Sequence, residues 1–276
     1  MAKSLKKQVE EAKEHGQEEL DLCEKGISNI MDVPGLLSLK HLTRLTLSHT
    51  KITVVPPSIV ELHNLESLNL FNNHIEEIPV NLSSMPNLKI LNLGVNRLYN
   101  LPRGFGAFPK LEVLDLMYNN LNEQSLPGNF FLMEALRALY LSDNDFETLP
   151  GDIRQLQRLE ILALRDNDLI SLPKEIGELQ RLKELHIQGN RLTVLPPELG
   201  NLDLVGERRL FKGENNPWAP PIADQFQAGI GHVFDYIRSD TYKYLYGRHV
   251  QAEAAPPPKT IDKSKKISRK GTGSKK

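Results

Sequence analysis

One pattern, Leu-x-x-Leu-x-Leu-x-x-Asn-x-Leu, runs through most of this chain and leaves few folds open to it. It stands at Leu65-Leu68-Leu70-Asn73-Ile75, at Leu88-Leu91-Leu93-Asn96-Leu98 and at Leu111-Leu114-Leu116-Asn119-Leu121. It returns at Leu136-Leu139-Leu141-Asn144-Phe146, at Leu159-Leu162-Leu164-Asn167-Leu169 and at Leu182-Leu185-Ile187-Asn190-Leu192. The asparagines are separated by 23, 23, 25, 23 and 23 residues. Two weaker copies come first. Leu42-Leu45-Leu47-Thr50-Ile52 has Thr in the Asn position, and Leu20-Leu22-Lys25-Ile27 has Lys there. A unit this short cannot bury its apolar face alone, so the copies must stack.

Each position has a physical reason. In the Leu-x-Leu stretch the backbone is extended and alternate side chains point to opposite faces. The leucines turn inward and pack on those of the next copy, each contributing roughly 1.5–3 kcal/mol by burial. The Asn amide offers donors and acceptors to backbone groups left unpaired where the chain turns off the strand. Asn73, Asn96, Asn119, Asn144, Asn167 and Asn190 should therefore form a ladder, with each loss costing on the order of 1–3 kcal/mol. The return segments, such as Leu101-Pro102, Leu149-Pro150, Leu172-Pro173 and Leu195-Pro196, are followed by apolar pairs like Ile153/Leu156 and Ile176/Leu179. They read as short turns or single-turn helices on the convex side, because Pro bars an earlier helix start. The longer step carries Ser125-Leu126-Pro127-Gly128-Asn129 and is expected to bulge there.

The expected fold class is α/β: a right-handed, horseshoe-like leucine-rich-repeat solenoid with a parallel concave β-sheet and helical caps at both ends. A solenoid exposes its last core face unless something covers it. Residues 1–19 should form an N-terminal helical cap, with Ser4 as N-cap and Leu5, Val9 and Ala12 on one face. Residues 20–218 hold about eight repeats plus a degenerate last one through Val205-Arg208-Leu210. Residues 219–250 should cap the other end, with Ile222, Phe226, Ile230, Val233, Phe234 and Ile237 at helical spacing over Trp218. A single capping helix is expected over 219–238 or, at its longest, to 246. Residues 251–276 read as a basic, disordered tail.

Charge and composition exclude several functions. The net charge of −1 divides into +6 on residues 251–276 and −7 on the rest. An acidic body does not suit nucleic acid. No apolar run approaches a membrane span. The first residues, MAKSLKKQVEEAKEHG, are charged where a signal peptide would be apolar, so a soluble intracellular protein is expected. No P-loop or His-Glu-x-x-His is present, and the eight histidines lack metal-ligand spacing. Gly104-Phe105-Gly106 is a lone pair of glycines on a convex segment. Cys23, the one cysteine, has no paired His pattern. Asp143, Asp145, Asp166 and Asp168 read as solvated surface carboxylates. No catalytic residue, metal or cofactor is expected.

The outward residues of the strands carry the information about function. They are polar at both ends of the array and apolar in the middle, where Phe71, Ile90, Val95, Val113, Met117, Tyr118, Tyr140 and Ile161 fall. Aromatic and apolar residues on a face that should meet water suggest a protein interface. The candidate partner-binding set is Phe71, Asn92, Asp115, Met117, Tyr118, Tyr140, Asp143, Arg165 and His186.

The 23-residue form with its Leu-Pro return resembles the intracellular leucine-rich-repeat scaffolds of the Ras pathway. With the N-terminal helix, Asn216-Pro217-Trp218 and the segment PPIADQFQAGIGHVFDYIRSDTYKYLYGRH, the whole chain is similar to the Ras suppressor family. That resemblance implies a non-enzymatic cytoplasmic adaptor at cell–matrix adhesions. It implies binding to a LIM-domain protein of the PINCH type, within an integrin-linked kinase and parvin complex, and restraint of Ras-dependent signalling. A monomer that binds no nucleic acid and does not insert into a membrane is expected; a tail that tethers the chain to acidic lipid or nucleic acid is the third reading. The competing expectation is a regulatory subunit acting directly on a Ras-type GTPase or an associated phosphatase.

Overall fold

A computed structural model describes residues 2–252, 255–259, 263 and 266. Among these residues, nine three-residue strands form one parallel sheet in strict chain order. They are β1 (Glu19–Asp21), β2 (Arg44–Thr46), β3 (Ser67–Asn69), β4 (Ile90–Asn92) and β5 (Val113–Asp115), then β6 (Ala138–Tyr140), β7 (Ile161–Ala163), β8 (Glu184–His186) and β9 (Leu210–Lys212). Each central residue points inward and pairs with its equivalent, so Leu45, Leu68, Leu91, Leu114, Leu139, Leu162 and Leu185 stack in register. All of these are fully buried. The return segments are short 3₁₀ turns, such as Gly151–Gln155 and Lys174–Glu178, each entered from a proline.

The asparagines clamp neighbouring repeats together. Asn119 Nδ2 donates to the Leu93 carbonyl of the preceding repeat at 3.1 Å and to Leu116 of its own at 3.0 Å. Its Oδ1 accepts the Leu98 N–H at 2.9 Å. The same bonds recur at the other five asparagines. The residue before each asparagine adopts a left-handed backbone, from Asn72 (φ 55°) through Val95 (φ 54°) and Tyr118 (φ 52°) to Asp166 (φ 54°). This corner turns the chain out of the sheet.

The 25-residue step adds a second 3₁₀ turn. Asn122 caps Glu123–Ser125, and Phe130–Leu132 follows. Gly106 belongs to this packing: a Cβ there would lie 1.8 Å from the Asn129 carbonyl oxygen. Gly106 thus permits close contact between convex turns, whereas Gly104 takes a left-handed backbone at φ 86° with open space around it.

Four expectations need correction. The N-terminal helix α1 (Ala2–Glu14) begins two residues before Ser4, so Ser4 lies in its first turn and does not cap it. Leu5, Val9 and Ala12 do cover the first core face. The last repeat has another register: Phe211, not Leu210, is inward, and Leu210 is 37% exposed. The C-terminal cap is three helices, α2 (Pro220–Ala228), α3 (Ile230–Arg238) and α4 (Asp240–Gln251). Gly229 at φ 125° divides α2 from α3, and Ser239 caps α4 by accepting the Tyr242 N–H. Phe211 meets Phe234 edge to face at 5.3 Å, and Trp218 stacks on Phe226 at 5.0 Å.

The fourth correction concerns the tail. Residues 255–259, Lys263 and Lys266 lie along the repeats, and Asp168 is buried with Lys263 rather than solvated. The other basic tail residues, Lys265, Arg269, Lys270, Lys275 and Lys276, lie outside the described residues.

Candidate protein-binding face

Strict register turns the outward residues into straight rows across the sheet. The first row runs Glu19, Arg44, Ser67, Ile90, Val113, Ala138, Ile161, Glu184 and Leu210. Its middle is a continuous apolar strip from Ile90 to Ile161, with Ile90 42% exposed. The ends are charged: Arg44 pairs with Glu19 at 3.4 Å.

The second row runs Asp21, Thr46, Asn69, Asn92, Asp115, Tyr140, Ala163, His186 and Lys212. Here Asn92 and Asp115 have a local task that sequence reasoning missed. Asn69, Asn92 and Asp115 each accept, through Oδ1, the backbone N–H two residues on, at 2.9–3.0 Å. This is an Asx turn closing the strand. The turn needs an oxygen and no charge: the two preceding repeats meet it with Asn69 and Asn92, and the first repeat with Asp21. Asp115 adds a carboxylate, half-buried, and no cation among the described residues pairs with it. Burial raises its pKa above the usual carboxylate value, partly offset by the Met117 N–H. Burial, Glu184 and Asp115 also push the adjacent Tyr140 hydroxyl upward.

The third row holds Phe71, Gly94, Met117, Ser142 and Arg165. Gly94 lets Asn92, Asp115 and Met117 crowd over its backbone, since a Cβ there would come within 3.0 Å of Met117 Cγ and 3.2 Å of Asp115 Oδ1. Phe71 meets His49 edge to face at 5.4 Å. Arg165, half exposed, pairs with Asp143 at 3.3 Å and with Asp166 at 3.4 Å. His186 approaches Glu184 at 3.4 Å.

Asn92, Asp115, Met117 and Tyr140 therefore come together on three adjacent strands and their ends. Phe71 lies toward the N-terminal side, and Arg165 and His186 toward the C-terminal side. Tyr118 and Asp143 sit at the rim, on left-handed corners, where Lys266 meets both. Among the described residues no group of His, Cys, Asp and Glu could hold a metal, and no helix is long and apolar enough to cross a membrane.

Known proteins share this architecture. Residues 105–217 match the leucine-rich repeat region family, and residues 40–84 match the leucine-rich repeats family of two copies. The receptor kinase HAESA of Arabidopsis, solved in complex with a peptide hormone and a co-receptor, superposes with a TM-score of 0.61 at 28% identity. That likeness covers 72% of this chain and 34% of the receptor chain. Ras suppressor protein 1 of Homo sapiens is 69% identical over 270 residues, covering 98% of both chains. The Mus musculus protein of that name is 72% identical over the same length and share. An identity this high, carried through both caps and every repeat, makes the chain a member of the Ras suppressor protein family of leucine-rich-repeat proteins.

Proposed function

We propose that this chain is a non-enzymatic protein-interaction adaptor whose concave face binds a LIM-domain partner of the PINCH type. The observation that carries the reading is Asp115. A half-buried carboxylate without a cation costs stability, and Asn would close the same turn. Its place beside Gly94, Met117 and Tyr140 suits a partner that brings a basic side chain to Asp115 and an apolar one to the strip from Ile90 to Ile161. Aromatic residues and Arg165 around it are the residue types that anchor interfaces. In this reading the adaptor works at cell–matrix adhesions. The relatives' name, Ras suppressor, then reflects restraint of Ras-dependent signalling through the complex it assembles.

Calorimetric titration of the LIM domain tests this. Asp115→Asn, Tyr140→Ala and Arg165→Ala should each weaken binding by about 1 kcal/mol or more. Leu132→Ala, on the exposed convex side, should leave binding unchanged. Unchanged affinity in all three concave variants, with the fold intact, removes the concave assignment. Addition of the pure protein to a Ras-type GTPase should change neither hydrolysis nor exchange; an effect on either would favour direct regulation.

A further inference from the structure

We propose that the acidic ladder edge of repeats 6 and 7 is a docking groove for a lysine-rich segment, filled here by residues 255–259, Lys263 and Lys266 of the same chain. The tail and a concave-face partner then exclude one another at Tyr118 and Asp143. This deepens the function proposed above and rests on it.

The tail crosses the solenoid edge obliquely, from repeat 8 toward repeat 5. Pro256 and Pro257 lie with Val194, Tyr246 and Val250 around a cavity of about 330 Å³. The Pro257 carbonyl accepts from Arg191 Nε at 2.6 Å. Lys259 Nζ stands 2.6 Å from Glu147 and 3.9 Å from Asp168. Lys263, with its side chain only 6% exposed, donates to the Asn144 carbonyl at 2.6 Å and to Asp168 at 3.0 Å. Lys266 donates to the Asp143 carbonyl, and its ammonium lies 5.3 Å from the centre of the Tyr118 ring.

Charge and geometry agree. Asp143, Asp145, Glu147, Asp166 and Asp168 gather on two adjacent repeats, and the tail carries a net charge of +6. A lysine is almost never buried unless paired, so the Lys263–Asp168 contact fixes the register of the segment. The half-exposed Lys259 adds attraction that salt screens. Lys266 then occupies Asp143 and the face of Tyr118, both in the candidate partner set. A partner needing those groups meets only the fraction of molecules with the tail released, which raises its apparent dissociation constant by the reciprocal of that fraction.

The test uses the full chain and two variants that leave the concave rows intact: Asp168→Asn with Glu147→Gln, and separately Lys263→Gln. Native trypsin cleavage at Lys259 and Lys266 reports release of the tail, because proteolysis tracks the open population. Calorimetry with the LIM domain reports competition. Both variants should be cut roughly tenfold faster than the parent chain, and should bind the LIM domain at least about threefold tighter. Equal cleavage in all forms would mean that the tail does not dock, and would overturn the proposal. Faster cleavage with unchanged affinity would overturn the exclusion and leave the concave reading standing. Failure of every form to bind would remove the concave reading, and the exclusion with it.

Discussion

Replacing Asn119 by Ala should destabilise the solenoid far more than the same change at Asn216, and the difference can be worked out bond by bond. Asn119 is fully buried. Without it the Leu98 N–H loses its acceptor and has no water to turn to. The carbonyls of Leu93 and Leu116 each lose one donor but keep another, from Asn96 and Asn144 respectively. One orphaned donor at roughly 1–3 kcal/mol and two hydrogen bonds at about 1 kcal/mol each give a cost near 4 kcal/mol. Asn216 makes equivalent bonds to Leu192, Ile187 and Gly213 but is partly exposed. Water can replace it there, so the cost should fall to about 1 kcal/mol. Urea unfolding followed by far-ultraviolet circular dichroism gives both values. If Asn119→Ala costs no more than Asn216→Ala, the side chain merely shapes a turn, and the cross-repeat clamp is wrong.

Asp115→Asn should stabilise the fold at pH 7. The folded pKa of Asp115 is raised, so its ionised form costs stability above that pKa, and the cost vanishes below the unfolded value near 4. Thermal melts should therefore show a gain that disappears on acidification; a gain that persists at pH 3 would contradict the desolvation argument. Val95 holds a β-branched side chain at φ 54° where repeat 3 has Asn72. Val95→Asn should raise stability by about 1 kcal/mol in urea unfolding, since the left-handed region penalises Val most. The register of the last repeat predicts a cost of roughly 3–5 kcal/mol for Phe211→Ala. Leu210→Ala should stay within about 0.5 kcal/mol, and reversal of that order would restore the other register.

The inward leucines were legible because one local rule, alternation along a strand, dictates each of them and a fixed period repeats the rule. The helical cap at each end followed from the need to cover an exposed core. The last repeat was not legible by the same rule. Phe211 and Gly213 replace its aliphatic residues, and the step from Asn190 to Asn216 is 26 residues. The preceding Asn215, which matches Asn72 before Asn73, was the signal that could have found it. The breaks in the C-terminal cap were written at Gly229 and at Ser239-Asp240, a flexible residue and a capping pair. The double role of Asp115 could not be read from its row alone, because the turn explains the oxygen and only burial exposes the surplus charge. The docked tail depends on pairs such as Lys263 with Asn144, 119 residues apart. No periodicity links such positions; only the opposite charges of the tail and of Asp143, Asp145, Asp166 and Asp168 pointed there.

The central claim is that a partner sits on the middle of the concave sheet. Site-specific photocrosslinking tests it most directly, with a benzophenone side chain at position 140 on β6 and, separately, at position 132 on the convex turn. The account predicts a covalent adduct with the LIM domain from position 140 and none from position 132. An adduct from position 132 alone would contradict it.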